Sequence, residues 1–225
     1  YLNKAVEAMC IAMDGCWYPP SFLHGATDYS AHYLGWRGWY GPEALGWHDR
    51  VKQAIQAHAI EQLTVGDDRG GIPHLLGQNS VYYNMNEVFQ DQVIYHFLWT
   101  GDRQLMKEIL PVLMRVLEWE RRIFDPDHDG LYTNSLNTWV SDNHYYYDGG
   151  CTQSSAYNYR AFSMLADFAE NLGINGDSCR REASKIKKAL FENLWLKEKG
   201  HFAEYKDTLG LRRVHEEPEL PTIYH

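Results

Sequence analysis

The residues best suited to chemistry lie in one stretch, Asp125 to Arg160, where carboxylates, aromatic rings and glycines are crowded between two helix-forming segments: DPDHDGLYTNSLNTWVSDNHYYYDGGCTQSSAYNYR. A connection this long inside a compact domain is uncommon unless it is functional or disordered, and its density of Trp and Tyr argues against disorder. Aromatic faces beside acidic side chains suit a sugar ring, which offers C–H patches to stack on and hydroxyls to hydrogen-bond. A second segment of the same character, Trp17 to Tyr40, holds Asp28 between His24 and His32, and the cluster Trp36-Arg37-Gly38-Trp39. A guanidinium fixed between tryptophans reads rings and hydroxyls well, so Trp36, Arg37 and Trp39 are expected to contact a saccharide; the competing expectation is an aromatic cluster that seals the core. Asp28 either binds hydroxyls, acts as a base, or closes an Asx turn.

Other carboxylates have plainer readings. Glu43, after Pro42, fits helix-start electrostatics. Asp49, in Trp47-His48-Asp49-Arg50, is expected to pair with Arg50 or a neighbouring helix. Glu87 and Asp91 share a helix face four residues apart, either as a carboxylate pair facing a cavity or on a solvated side. The run Asp125-x-Asp127-x-Asp129-Gly130 matches the start of a calcium loop, but its twelfth position is Leu136 instead of a bidentate glutamate. A rigid turn opening the long loop is therefore expected, with no metal site and no cofactor. Cys10, Cys16, Cys151 and Cys179 form no CxxC pair, which predicts free, mostly buried thiols.

The totals narrow the partners. With 30 acidic against 21 basic residues and a net charge of -9, a polyanion such as nucleic acid is disfavoured. No segment approaches the roughly 20 apolar residues that span a bilayer, so no membrane partner is expected, and residues 1–16 lack the basic start and cleavage site of a signal peptide. At 225 residues and 44% hydrophobic, the chain has ample material for one domain, 1–225, or part of a larger one.

The positioning elements read as helices. Leu2 to Met13 places Ala5, Met9, Ala12 and Met13 on one face; Ala44 through Leu63 carries helix formers; Tyr82, Met85, Phe89 and Val93 continue the period to Trp99. After Gly101-Asp102, an apolar stripe runs through Leu105, Ile109, Val112, Leu113, Val116 and Leu117, with Pro111 as an expected kink. Tyr159, Phe162, Ala166 and Ala169 mark the next helix, ending at Leu172-Gly173, and Gly176-Asp177-Ser178 restarts one with Ala183, Ile186, Leu190 and Leu194. Lys197 to Arg213 predicts a short β-hairpin. The two Gly-Asp turns lie about 75 positions apart, a weak repeat of helix, short turn, helix, long loop. This all-α alternation fits a ring of helical hairpins whose long loops converge on one face. About six helices fall short of a closed ring, and a chain ending on a loop at His225 suggests a piece of something longer.

The motifs Asp129-Gly130-Leu131-Tyr132, Trp139-Val140-Ser141-Asp142, Asp148-Gly149-Gly150 and Ala156-Tyr-Asn-Tyr-Arg-Ala161 resemble the six-hairpin (α/α) toroid glycosidases. That superfamily includes the trehalase, processing α-glucosidase, glucoamylase and α-L-rhamnosidase families. Gly35-Trp36-Arg37 with Trp39-Tyr40 is similar to their substrate-binding loop. The resemblance spans residues 15–205 in layout and implies an (α/α) toroid, here an incomplete ring with a small β-hairpin near its C-terminus. In such enzymes an aspartate closely following tryptophan serves as general acid, which implies that role for Asp142, with Asp148 in reserve. Val140 and Ser141 intervene where the family places the acid directly after tryptophan. The second carboxylate comes late in the toroid, beyond His225.

The expected function is hydrolysis of glycosidic bonds in an oligo- or polysaccharide, with Asp28, Trp36, Arg37, Trp39, Trp139 and Tyr146 lining the subsites. Partial burial against Trp139 and Tyr145, Tyr146 and Tyr147 would raise the Asp142 pKa as an acid requires; capping a turn with Asn143 is its structural alternative. A non-catalytic carbohydrate-binding toroid, or an epimerase or lyase using His24, His32 or His144, remain as rivals. The substrate class alone leans toward an extracytoplasmic location.

Overall fold

The computed structural model describes residues 1–23, 31–35, 37–133, 149–207 and 214–215. The chain forms two compact units, Tyr1–Val116 and Leu117–His225. Among the described residues there are seven α-helices: α1 (Leu2–Gly15), α2 (Tyr40–Ala44), α3 (His48–Ala59), α4 (Tyr83–Thr100), α5 (Arg103–Phe124), α6 (Thr152–Asn171) and α7 (Asp177–Asn193). Helix α5 runs through the boundary between the units and continues past Pro111. No helix among the described residues is long and apolar enough to cross a membrane.

In the first unit the α4–α5 turn forms where the sequence predicts it. Gly101 takes φ +60° and its N–H bonds the Phe97 carbonyl at 2.9 Å, ending α4 in the left-handed conformation that glycine adopts without penalty. Asp102 Oδ1 then accepts the N–H groups of Gln104 and Leu105, both at 3.0 Å, capping α5. The helix expected from Ala44 to Leu63 is divided. α2 stops at Ala44, Gly46 sits at φ +74°, and α3 begins only at His48 and ends at Ala59. One left-handed glycine interrupts the ladder, and the Trp47 N–H returns to the Pro42 carbonyl at 2.8 Å.

α4 has no solvated stripe along its middle. Val88, Phe89, Val93 and Ile94 are buried, and so are Asn84, Asn86, Glu87, Gln90, Gln92 and His96. Such polar groups are tolerable inside only when hydrogen-bonded. Asn86 closes a two-way bond with the backbone of Ile72, 3.0 Å in each direction, and Gln92 Oε1 accepts the Trp39 N–H at 3.3 Å. Small strands β1 (Trp17–Tyr18) and β2 (Ser21–Phe22) pair antiparallel in this unit, an element too short for the sequence to signal.

In the second unit α6 and α7 pack through Phe162, Leu165, Ala166 and Ala169 against Ala183, Ile186, Ala189 and Leu190, all buried. Gly173 at φ +78° ends the first helix. A Cβ at Gly176 would lie 2.6 Å from the Ala166 carbonyl oxygen, so only glycine fits there. Strand β3 (Gly150–Cys151) pairs antiparallel with β6 (Tyr205–Lys206), which pairs with β7 (Val214–His215). β4 (Trp195–Leu196) and β5 (His201–Phe202) form the expected hairpin, two residues N-terminal of its predicted start. None of the four cysteines is in a disulfide; Cys151 and Cys179 are buried, whereas Cys10 and Cys16 are half-buried.

His58 on α3 is fully enclosed, with ring centroids 5.6 Å from Trp39 and 6.5 Å from Phe89, and neither ring nitrogen has a hydrogen-bond partner among the described residues. Burial, helped by the charge of nearby His32, pulls its pKa down from 6.5 to about 3. The folded state therefore keeps His58 neutral while the unfolded chain takes up a proton below pH 6.5. The stabilisation is complete above that pH and is lost as the pH falls toward 3, by roughly 1.4 kcal/mol per unit. Denaturant titrations at pH 7 and 5 should show wild type losing about 2 kcal/mol more than His58→Leu across that interval; an equal loss in both would refute the assignment.

Candidate active site

The long stretch opens at the end of α5 with a tight turn. Asp125 is fully buried; its Oδ1 accepts the Gly130 N–H at 3.2 Å, and Asp129 Oδ1 accepts the Leu131 N–H at 2.7 Å. His128 at φ +55° and Gly130 at φ +88° let the chain reverse, which is the rigid turn expected from the sequence. The carboxylates of Asp125, Asp127 and Asp129 lie within 4.8 Å of one another, as oxygen donors to a hard cation would. The Lys185 ammonium stands beside Asp125, its Nζ donating to Oδ2 at 3.3 Å and to Glu182 at 3.0 Å. Burial still pushes the Asp125 carboxyl above the usual carboxylate range.

The stretch is then fastened at both ends. On the outgoing side the Thr133 N–H bonds the Phe124 carbonyl at 2.7 Å and the Tyr132 N–H bonds Ser155 Oγ at 2.9 Å. On the returning side the Cys151 N–H bonds the Tyr132 carbonyl at 3.0 Å, Thr133 and Gly150 form an antiparallel bridge, and β3 continues into β6. Cys151 Sγ accepts the Ser154 N–H at 3.4 Å at the start of α6, and the Thr152 hydroxyl donates to the Ala203 carbonyl at 2.5 Å. The glycine pair has no room for side chains. A Cβ at Gly149 would stand 1.8 Å from the Lys206 carbonyl oxygen, and one at Gly150 would stand 2.3 Å from Leu131 Cβ.

Between these feet, Trp139, Asp142, Tyr146 and Asp148 lie outside the described residues, as do Asp28 and Trp36. The neighbouring His24 and His144 fall in the same category. Arg37 opens a 3-10 turn, Arg37–Trp39, and is half-buried. Trp39 is 1% exposed and packs on His58 and Phe89, so it offers no open face to a ligand and serves as the support beneath that turn. His32 is held by a 2.7 Å bond from its Nε2 to the Tyr18 carbonyl and stacks on the Tyr18 ring.

The structure also assembles groups that the sequence left apart. Glu43, read as helix-start electrostatics, is 1% exposed and accepts from His48 Nδ1 at 2.5 Å and from His96 Nδ1 at 2.6 Å. His96 lies 53 positions away, and no local pattern announces that contact. Asp49 does not pair with Arg50. Arg50 reaches Asp14 at 2.7 Å and lies over the rings of Trp47 and Trp17, because its longer reach finds an aromatic seat. Glu87 is buried, not solvated, and Asp91 accepts from the Tyr40 hydroxyl.

No family model matches this chain. Solved structures match its fold. A GH78 family rhamnosidase of Bacillus sp. GL1 is similar at a TM-score of 0.77 and 15% identity, over 96% of this chain and 22% of that one. A rhamnosidase from Klebsiella oxytoca with rhamnose bound aligns at a TM-score of 0.64 and 16% identity, over 93% of this chain and 41% of that one. A GH63 mannosylglycerate hydrolase from Thermus thermophilus aligns at a TM-score of 0.69 and 15% identity, over 93% and 69%. These neighbours are (α/α)6-toroid glycoside hydrolases, and the seven described helices make up part of such a ring. The chain spans about a fifth to two-fifths of the length of the two rhamnosidases.

The glycine feet give a direct test of the scaffold. Gly150→Ala is expected to lower stability by about 1–3 kcal/mol through overpacking against Leu131. Gly15→Ala, where an added Cβ meets nothing within 4 Å, should be neutral or slightly stabilising. Chemical denaturation of the two variants side by side checks the contrast, and equal midpoints would remove the claim that position 150 requires glycine.

Proposed function

We propose that this protein is a glycoside hydrolase domain that cleaves glycosidic bonds of an oligo- or polysaccharide, with Asp142 as general acid. The reading is supported by the toroid fold of known glycosidases together with the sequence motifs Asp129-Gly-Leu-Tyr, Trp139, Asp142 and Gly149-Gly150, whose flanks Thr133 and Gly150 are bridged between α5 and α6. A glycosidase acid must deliver a proton to the leaving oxygen at one reproducible position, and a loop whose two ends are bridged restricts where its tip can go. Trp139 and Tyr146 supply stacking faces and a low-polarity surrounding that favours the protonated form of Asp142. Asp28, Trp36 and Arg37 read substrate hydroxyls, and Trp39 holds the Arg37 turn from below. A second carboxylate completes the chemistry, about 5–5.5 Å away for retention or about 6.5–9.5 Å for inversion. In the family resembled, that partner is contributed by a later part of the toroid. The saccharides named with the structural neighbours, rhamnose and glucose, make L-rhamnosides and D-glucosides the first substrates to assay.

Full-length protein should turn over aryl glycosides, and Asp142→Asn should lower the rate by about 10²–10⁴ where the leaving group needs protonation. With a dinitrophenyl leaving group, which departs without a proton, the loss should be much smaller. Unchanged activity in Asp142→Asn sinks the acid assignment, and a collapse in Asp148→Asn instead transfers the role there. Saccharide binding without turnover in any variant would favour a non-catalytic carbohydrate-binding protein.

A further inference from the structure

The C-terminal end of α4 and the start of α3 border an open cleft of about 520 Å³ whose lining includes His48, Asp49, Lys52, His96, Trp99 and Asp102. It lies at the opposite end of α4 from Gly35, which closely approaches Met85; the 18 residues of α4 put about 27 Å between these ends. The cleft is within the size range of small-molecule sites.

Its hydrogen-bonding character follows from Glu43. A carboxylate only accepts, so the Nδ1 atoms of His48 and His96 that bond it both carry hydrogens. In the neutral imidazoles each Nε2 is then an acceptor. His96 Nε2 is buried and has no partner among the described residues. Asp49, exposed at the start of α3, adds a carboxylate. Lys52 Nζ is held by Asp102 Oδ2 at 2.7 Å and keeps hydrogens to donate. Trp99, 50% exposed, stands as an open aromatic face beside Tyr95 and His48, with ring centroids at 6.0 and 6.4 Å.

Lys52 and Asp102 neutralise one another, and the Asp49 carboxylate left over disfavours an anion. A neutral molecule with several hydroxyls donates to His48 Nε2 and the Asp49 carboxylate, accepts from Lys52, and lays its C–H face on Trp99, with the buried His96 behind His48. We propose that this cleft is a second binding site, for a neutral polyhydroxylated ligand of the size of one sugar residue.

The test is the indole N–H signal of Trp99 in ¹⁵N-labelled protein, assigned by its loss in Trp99→Phe, during titration with glucose, rhamnose and glycerol. A saturable shift with at least one of these, weakened about tenfold in Asp49→Ala, is the expected result. Three outcomes overturn the proposal: no shift with any of the three; the same shift and affinity in both Asp49→Ala and Lys52→Met, which is stacking without a site; or a shift with tetramethylammonium chloride alone, which is a cation site. Trp99, Asp49 and Lys52 are at least partly exposed, so their variants are expected to fold, with circular dichroism as the check. The readout is binding, not turnover, so a failed hydrolysis assay leaves this test standing. A glycosidase whose Trp99 signal ignores every polyol would lose the second site alone.

Discussion

Any side chain at position 149 would drive its Cβ to within 1.8 Å of the Lys206 carbonyl oxygen, and at position 150 to within 2.3 Å of Leu131 Cβ. Much of the second unit depends on this close approach. Because the backbones meet without intervening side chains, β3 can pair with β6, the Cys151 N–H can reach the Tyr132 carbonyl, and Cys151 is placed to cap α6. Tyr132, drawn beneath the seam, is fully buried, and burial together with the Asp125 carboxylate pushes its phenol pKa up. The residues from 134 to 149 thus leave and return through two positions roughly 5 Å apart, the Cα spacing of an antiparallel pair. Closing that loop is the work of the scaffold, which lowers the chain entropy left to its two ends.

A second constraint acts in the first unit, where polar residues of α4 are enclosed. Buried amides need partners in particular directions, and those partners are backbone groups of the connections. Asn86 fixes Ile72 in the segment before α4, and Gln92 fixes Trp39 at the end of the first aromatic loop. An apolar helix surface would leave both segments free to slide. These bonds set their register, and through Trp39 they set the turn from which Arg37 projects.

How much of this was legible depends on how local each signal is. The turns at Gly101-Asp102 and Leu172-Gly173 could be read because a left-handed glycine just past a helix end is decided within a few positions. The break at Gly46 could not, since one glycine among helix formers reads equally well as a tolerated interior residue. Glu43 was legible as acidic but not as buried, because the histidine that helps satisfy it arrives 53 positions later on another helix. Asp49 and Arg50 were adjacent in sequence yet part in space, since the cation–π seat on Trp47 and the Asp14 carboxylate outcompete a neighbour at i−1. The glycine pair at 149 and 150 stood out in sequence; that it marks a loop foot required the position of β6, over fifty residues away. Asp142, Asp148, Trp139, Tyr146, Asp28 and Trp36 rest on sequence and resemblance alone.

The two helical hairpins show how one turn solution can carry different consequences. In the first, Asp102 works with both oxygens: Oδ1 caps α5 and Oδ2 holds Lys52, so forming the turn also fixes a charged pair at the rim of the α4 cleft. In the second, the neutral Asn175 side chain accepts from the Asp177 N–H at 2.7 Å, and the nearby cation Arg180 is taken by Glu170 and Asp167. The Asp102 cap leaves one carboxylate oxygen over for a partner, whereas α7 starts without a side-chain cap and the Asn175 amide has no second oxygen that attracts a cation. Local helix termination at Gly101-Asp102 therefore sets the electrostatics of the first hairpin's outer end, and that end acquires binding chemistry that the second hairpin's turn does not reproduce.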